Sequence, residues 1–218
     1  MMPSLVAAVA ALFVATSLSV PRSPQVRLVQ AVPAPGPLTP AERAELVASL
    51  RASRATFLAS IEGLSEAQWM FKPSPARWSI AETAEHIVLV DRGISNILYN
   101  RLATSAAVTP DTAADRLTAR IKGFMADRTQ KATAPEGFGP SGTWADERAT
   151  LAAYAIIRNN LAAFIDSTDA PLRYNAVRHP SFGPMDGYQW LVMLAGHSDR
   201  HVQQIEEVKR AAGYPAAP

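Results

Sequence analysis

Four stretches of this chain open on a helix-capping signal and continue as an apolar stripe at helical spacing. A chain with four such stripes must bury them against one another. In "LTPAERAEL", Thr39 stands at the N-cap, Pro40 at the first helical position and Glu42 closes a capping box. Leu46, Leu50, Phe57 and Ile61 then share one face. "WSIAETAEHIVLV" repeats the device with Ser79 and Glu82, followed by Thr83, His86, Val90, Ile94 and Ile97. "GTWADERATLAAYAIIRNNLAAFI" places Thr143 at the cap with Asp146 closing, and its stripe is Tyr154, Ile157, Leu161 and Phe164. "PMDGYQWLVMLAGHSDRHVQQIEEVKR" starts at Asp186 with Gln189 three residues on. A shorter amphipathic piece, "DRLTARIKGFM", lies between the second and third long helices. No segment alternates as a strand, and "FKPSPAR", "KATAPEGFGPSG" and "RYNAVRHPSFGP" read as loops. The expected fold is all-α, a four-helix bundle. The long connection between the second and third helices argues against simple up-down-up-down order.

The bundle is expected to occupy residues 38–213, and residues 1–37 to lie outside it as a leader and Pro-rich linker. "SLVAAVAALFVATSLSV" (Ser4–Val20) fits the apolar region of a secretory signal, and "VQA" (Val29–Ala31) offers small residues for cleavage. No Lys or Arg precedes the apolar run, Arg22 and Arg27 follow it, and it is short for a membrane span. A cleaved signal implies an exported protein, periplasmic or extracellular. A retained anchor and a misassigned start are the alternatives, and without a signal the protein is cytoplasmic. The absence of cysteine removes disulfides, Cys-ligated zinc and thiol nucleophiles together. The 21 basic residues are scattered and the net charge is +2, so no nucleic-acid partner is expected. No membrane partner is expected beyond the leader.

The chemistry concentrates in the four histidines. On the fourth helix the seam runs Trp190, Leu194, His197, His201, Gln204 and Val208 in steps of three and four. Two imidazoles thus replace apolar residues in mid-seam, and His86 holds the matching place on the second helix. Burying an unpaired polar ring costs about 1–3 kcal/mol, and three clustered rings cannot all be charged. Neutral imidazoles at i and i+4 of one helix, with a third from a neighbour, can share a divalent cation and leave coordination positions open. "HSDRH" lacks the glutamate that follows the first histidine in the zincin motif, and Asp199 points away from the pair.

Other residues carry two readings each. Glu82 could orient His86 from one turn away, or serve only as a capping residue. Gln204 faces the interior one turn after His201, either as a group positioning a nucleophile or as a satisfied core amide. His179, in the loop before the fourth helix, is either an acid/base or ligand folded over the metal, or a surface histidine. Trp78 and Trp190 read as packing.

"RWSIAETAEHIVLVDRGI", "HPSFGPMDGYQWL" and "GHSDRHVQQIEEVK" together resemble the DinB-like superfamily of metal-binding four-helix bundles, over about Leu38 to Arg210. The resemblance implies up-down-down-up topology, metal ligands at His86, His197 and His201, and zinc or nickel as the metal. It also implies thiol-dependent S-transferase or hydrolase chemistry, for which the positions of Gln204 and His179 in the sequence make them the candidate catalytic residues. The expected partner is a small-molecule substrate, with a low-molecular-weight thiol among the candidates, and a homodimer is compatible with such a bundle. The rival expectation is a non-catalytic metal-binding or stress-related bundle protein.

Overall fold

The computed structural model describes residues 35–216 except Ala145, so the expected leader lies largely outside the described residues. The helices are α1 (Pro40–Ile61), α2 (Glu66–Met70), α3 (Ile80–Asn96), α4 (Thr112–Ala126), α5 (Glu147–Ser167) and α6 (Gly187–Lys209). A π-helical turn (Ile97–Arg101) and a 3-10 turn (Leu102–Thr104) extend α3. Capping boxes at Thr39/Glu42, Ser79/Glu82 and Asp186/Gln189 start α1, α3 and α6 as the sequence predicts. A further box, Ser65/Gln68, starts the short α2.

The α5 start differs from the expectation. Asp146, not Thr143, is the N-cap, and its carboxylate accepts from the Ala149 N–H at 2.7 Å. Thr143 is held in the preceding loop instead, its N–H donating to Glu85 at 2.7 Å and its hydroxyl 2.9 Å from Ser141 Oγ.

Helices α1, α3, α5 and α6 form the bundle, and contacts along their lengths fix its order. Asp91 meets Arg158 and Tyr99 meets Phe164, so α3 and the turn after it run parallel to α5. Arg43 donates to the Ile165 carbonyl while Phe57 packs on Tyr154, so α1 runs against α5. Tyr188 donates to Glu45 near one end, and Phe57 and Val202 share a core cluster nearer the other, so α1 and α6 are parallel. His86 meets His197, and Leu102 abuts Gly187, so α3 and α6 are antiparallel. The result is up-down-down-up. Helix α4 lies outside this ring against α6, where Met125 packs over Gly196.

The expectation that no strand forms is corrected. "RYNAVRHPSFGP" contains the antiparallel hairpin β2 (Asn175–His179) and β3 (Gly183–Asp186), and β1 (Ala106–Ala107) pairs with β2. The hairpin turns at Gly183, whose φ of +80° suits glycine alone. Strands this short carry too little alternation to be read as a period.

Among the described residues the buried core begins at Leu38 and divides into two apolar clusters. The α1 stripe is buried as read. The α5 stripe is rotated, with Tyr154, Arg158, Leu161 and Ile165 at its buried centre. No helix among the described residues is long and apolar enough to cross a membrane.

Candidate metal centre

The capping box at Ser79 sets where α3 begins, and it therefore places His86 on the second turn, facing α6. His197 and His201, one turn apart on α6, meet it from the opposing helix. One ligating nitrogen from each of the three rings lies within 4.8 Å of the others. The Nε2 atoms of His86 and His197 are 3.1 Å apart. Two imidazole nitrogens bound to one tetrahedral zinc at about 2.0–2.1 Å stand about 3.3 Å apart, so this spacing suits a shared ion.

Two of the rings have their other nitrogen tied down. The Nδ1–H of His86 donates to the Phe138 carbonyl at 2.6 Å, and that of His201 to Gln204 Oε1 at 3.0 Å. These bonds select the tautomer that leaves the Nε2 lone pair free. Nδ1 of His197 is shut off from solvent and has no partner. The Trp78 ring lies 4.9 Å from that of His86 and 6.4 Å from that of His201, so the tryptophan covers the histidines as well as packing.

The environment keeps the rings neutral. Burial holds His86 below the ordinary histidine range against the opposing pull of the Phe138 carbonyl. His197 is pushed well below it, first by burial and then by the positive charge that His201, His86, Arg158 and Arg200 present. His201 is lowered to about 3 by burial and by repulsion from His86. Neutral imidazoles close together are a donor set for a divalent cation, and the residues fit such an ion.

Of the other residues singled out in the sequence, Gln204 is at the site, bonded to His201. His179 is not brought to the cluster. Its ring packs on Phe182 and Trp190, and its Nδ1 accepts the N–H groups of Ser181 and Phe182 across the hairpin turn. Trp190 is seven residues before His197, about 10 Å along the helix axis. Glu82 is occupied by the Ser79 N–H and by Lys72 at 2.6 Å. Asp199 is exposed, as its phase on the helix implies.

Sequence reading missed Glu85 and the Phe138 carbonyl. Glu85 precedes His86 and looks like a solvated flank, yet it is buried and accepts the N–H groups of Ser141, Gly142 and Thr143 at 3.2, 3.1 and 2.7 Å. Burial alone would raise its pKa, but these bonds outweigh it and hold the carboxyl below its ordinary value. No spacing rule couples Phe138 to His86 across 52 residues.

The uncharacterized protein YuaE of Bacillus subtilis (strain 168) is 25% identical over 149 residues, spanning 68% of this chain and 88% of that protein. Two solved structures are similar. TT2238, a four-helix bundle protein, is 18% identical, covering 76% of this chain and 98% of its own, at a TM-score of 0.45. YfiT from Bacillus subtilis, described as a probable metal-dependent hydrolase with an unusual four-helix bundle topology, is 15% identical, covering 82% and 91%, at 0.49. The family model of the DinB superfamily matches residues 49–205. That span runs from α1 almost to the end of α6 and includes all three clustered histidines, and the chain belongs to the DinB superfamily.

Proposed function

We propose that this protein is a divalent-metal-dependent enzyme in which His86, His197 and His201 hold the ion, zinc or nickel, through Nε2. One observation carries the reading: three neutral rings converge, and two have Nδ1 fastened so that Nε2 is left to bind. When bound, such an ion lowers the pKa of a water or thiol that it holds, which supplies a nucleophile at neutral pH. The chain's own part is to orient and to shield. Phe138 and Gln204 fix the ring tautomers, and Trp78 covers the His86 and His201 rings. An ion held by His86, His197 and His201 would keep room for a nucleophile beside the three protein ligands. The substrate is a small electrophile, attacked by water in a hydrolase or by a low-molecular-weight thiol in an S-transferase.

A second reading, a non-catalytic metal-binding bundle, is favoured by one observation. No uncommitted carboxylate stands beside the rings among the described residues, because Glu82 and Glu85 are both engaged.

His201→Ala tests both. Metal analysis of the reconstituted protein should find one divalent ion per wild-type chain and none in the variant. Circular dichroism should show the helices intact, because the apolar stripes do not need the ion. Added metal should raise the melting temperature of the wild type alone. A wild type that binds no divalent ion at neutral pH removes the proposal. A variant that unfolds completely, or a loaded wild type that turns over no thiol-transfer or hydrolysis substrate, supports the non-catalytic reading.

A further inference from the structure

The segment between α4 and α5 is gripped by α3 at three points, and all three bear on His86. Glu85, the residue before that histidine, gathers three successive N–H groups, from Ser141, Gly142 and Thr143, onto one carboxylate. Gly142 permits this convergence with a φ of +71°, which bends the chain into an anion-holding nest. Two turns below His86, Gly93 receives the Phe138 ring so closely that a Cβ there would stand 2.5 Å from Phe138 Cε1. Between these two anchors, the Phe138 carbonyl meets Nδ1 of His86 at 2.6 Å.

We infer that Glu85 is a positioning residue for the histidine cluster: by fastening residues 141–143 it holds the Phe138 carbonyl against His86 Nδ1, which turns Nε2 of that ring toward His197 and His201. The inference rests on the metal-centre reading for its consequence but not for its geometry. Glu85 touches neither the rings nor any substrate. It acts through a backbone carbonyl that the two anchors hold against the ring, at the end of a turn in which the Phe138 N–H donates to the Pro135 carbonyl at 3.1 Å. Phe138 and Gly93 supply the lower anchor, and Glu85 the upper.

The test reads the tautomer of His86 in the metal-free protein by nitrogen-15 NMR, and then the affinity for zinc by competition with a chelator. Wild type should show His86 protonated at Nδ1. Glu85→Ala should mix the two tautomers and weaken zinc binding about tenfold or more, the usual scale when a group orienting a ligand is lost. Glu85→Gln keeps an acceptor oxygen and should restore most of the wild-type tautomer. Gly93→Ala, with Glu85 intact, should displace the Phe138 ring and mix the tautomers as well. Glu82→Ala breaks a cap on the same helix and should lower the melting temperature without changing the tautomer. The inference is overturned if Glu85→Ala keeps both the Nδ1–H tautomer and wild-type zinc affinity, or if Glu82→Ala disturbs His86 as much. Should Glu85→Ala not fold, Gly142→Ala decides by the same readout, because it strains the φ of +71° that brings the three N–H groups onto Glu85: mixed tautomers support the inference, and an unmixed Nδ1–H form overturns it. A wild type that binds no zinc defeats the metal reading, while the tautomer comparison still decides the role of Glu85.

Discussion

Two polar clusters share the interior of this bundle, and they are built on opposite principles. Five residues along α3 from His86, Asp91 forms a fully buried ion pair with Arg158 of α5, Nε to Oδ2 at 2.6 Å. The same guanidinium donates to Ser53 Oγ of α1 at 3.2 Å and to Ser198 Oγ of α6. One side chain therefore links all four bundle helices. Burial pushes the Asp91 carboxyl up to about 6 and the Arg158 charge opposes it, so the pair is ionised at neutral pH. A buried charge persists only when its partners answer it, and here they do, although the neighbouring Tyr154 hydroxyl has none. The histidine cluster is neutral, which makes burial cheaper, and its Nε2 atoms face one another, those of His86 and His197 at 3.1 Å, rather than reaching into the rest of the fold. A core polar group that satisfies itself holds the fold. A core polar group that leaves its valences pointing at a shared point is set to receive something from outside.

The largest expected effect separates the two clusters by stability. Arg158→Ala leaves Asp91 buried and unanswered and should cost about 3–5 kcal/mol. His197→Leu in the metal-free protein removes a ring whose Nδ1 has no partner, and should be near neutral or stabilising. Urea unfolding of both variants without metal checks this. Equal losses would mean that the histidines are as structural as the ion pair and would break the comparison.

Acid should distinguish the clusters by sign. The folded rings have depressed pKa values, His201 near 3, so the unfolded chain takes up protons first as pH falls below about 6.5. Their contribution is intact above that value and is lost as pH falls through the folded value of each ring, which for His201 is about 3. Asp91 runs the other way. Its folded value of about 6 lies above the ordinary 3.8, so the folded state protonates first and gains stability relative to the unfolded state across that interval. Three rings outweigh one carboxyl, and metal-free wild type should lose stability from pH 6.5 downward. In a His86→Gln, His201→Gln double variant the slope measured by urea unfolding should flatten markedly. An unchanged slope would place the acid sensitivity elsewhere.

The parts that could be read in the sequence are those governed by local rules. Thr39, Ser79 and Asp186 announce their helices through capping boxes that need only residues three apart. His197 and His201 share a face because of helical phase, and His86 joins them because its stripe must meet theirs. What escaped depends on contacts between distant segments. Arg158 reads as a solvated flank of α5 until Asp91 is known to lie opposite, 67 residues away. The hairpin before α6 is made by pairing, not by alternation, since its strands hold five and four residues. Glu85 and Phe138 escaped for the same reason, as their roles exist only once the α4–α5 segment is folded back on α3. His179 shows the converse hazard. A histidine near the site in sequence is spent on the N–H groups of its own turn.

The smallest expected effect sharpens the contrast inside the histidine cluster itself. Gln204 accepts from His201 Nδ1 at 3.0 Å, and it is only partly buried, one turn further along α6. Its one side-chain bond is to His201, so its removal should touch folding only modestly. Gln204→Leu should lower urea stability of the metal-free protein by no more than about 1 kcal/mol, the usual net worth of one hydrogen bond. The main loss should appear in metal binding. Without its acceptor, His201 is free to place its proton on either nitrogen, and zinc must then compete with the Nε2–H form. Weakening of about tenfold is expected, roughly 1.4 kcal/mol. Gln204→Glu keeps an acceptor and adds a charge that strengthens the bond to His201, so zinc affinity should be retained or increased. Chelator competition on the three proteins side by side gives the order. If Gln204→Leu binds zinc as wild type does, the glutamine is a satisfied amide with no bearing on the site. The orientation of His201 would then rest on packing against Trp78, His86 and His197.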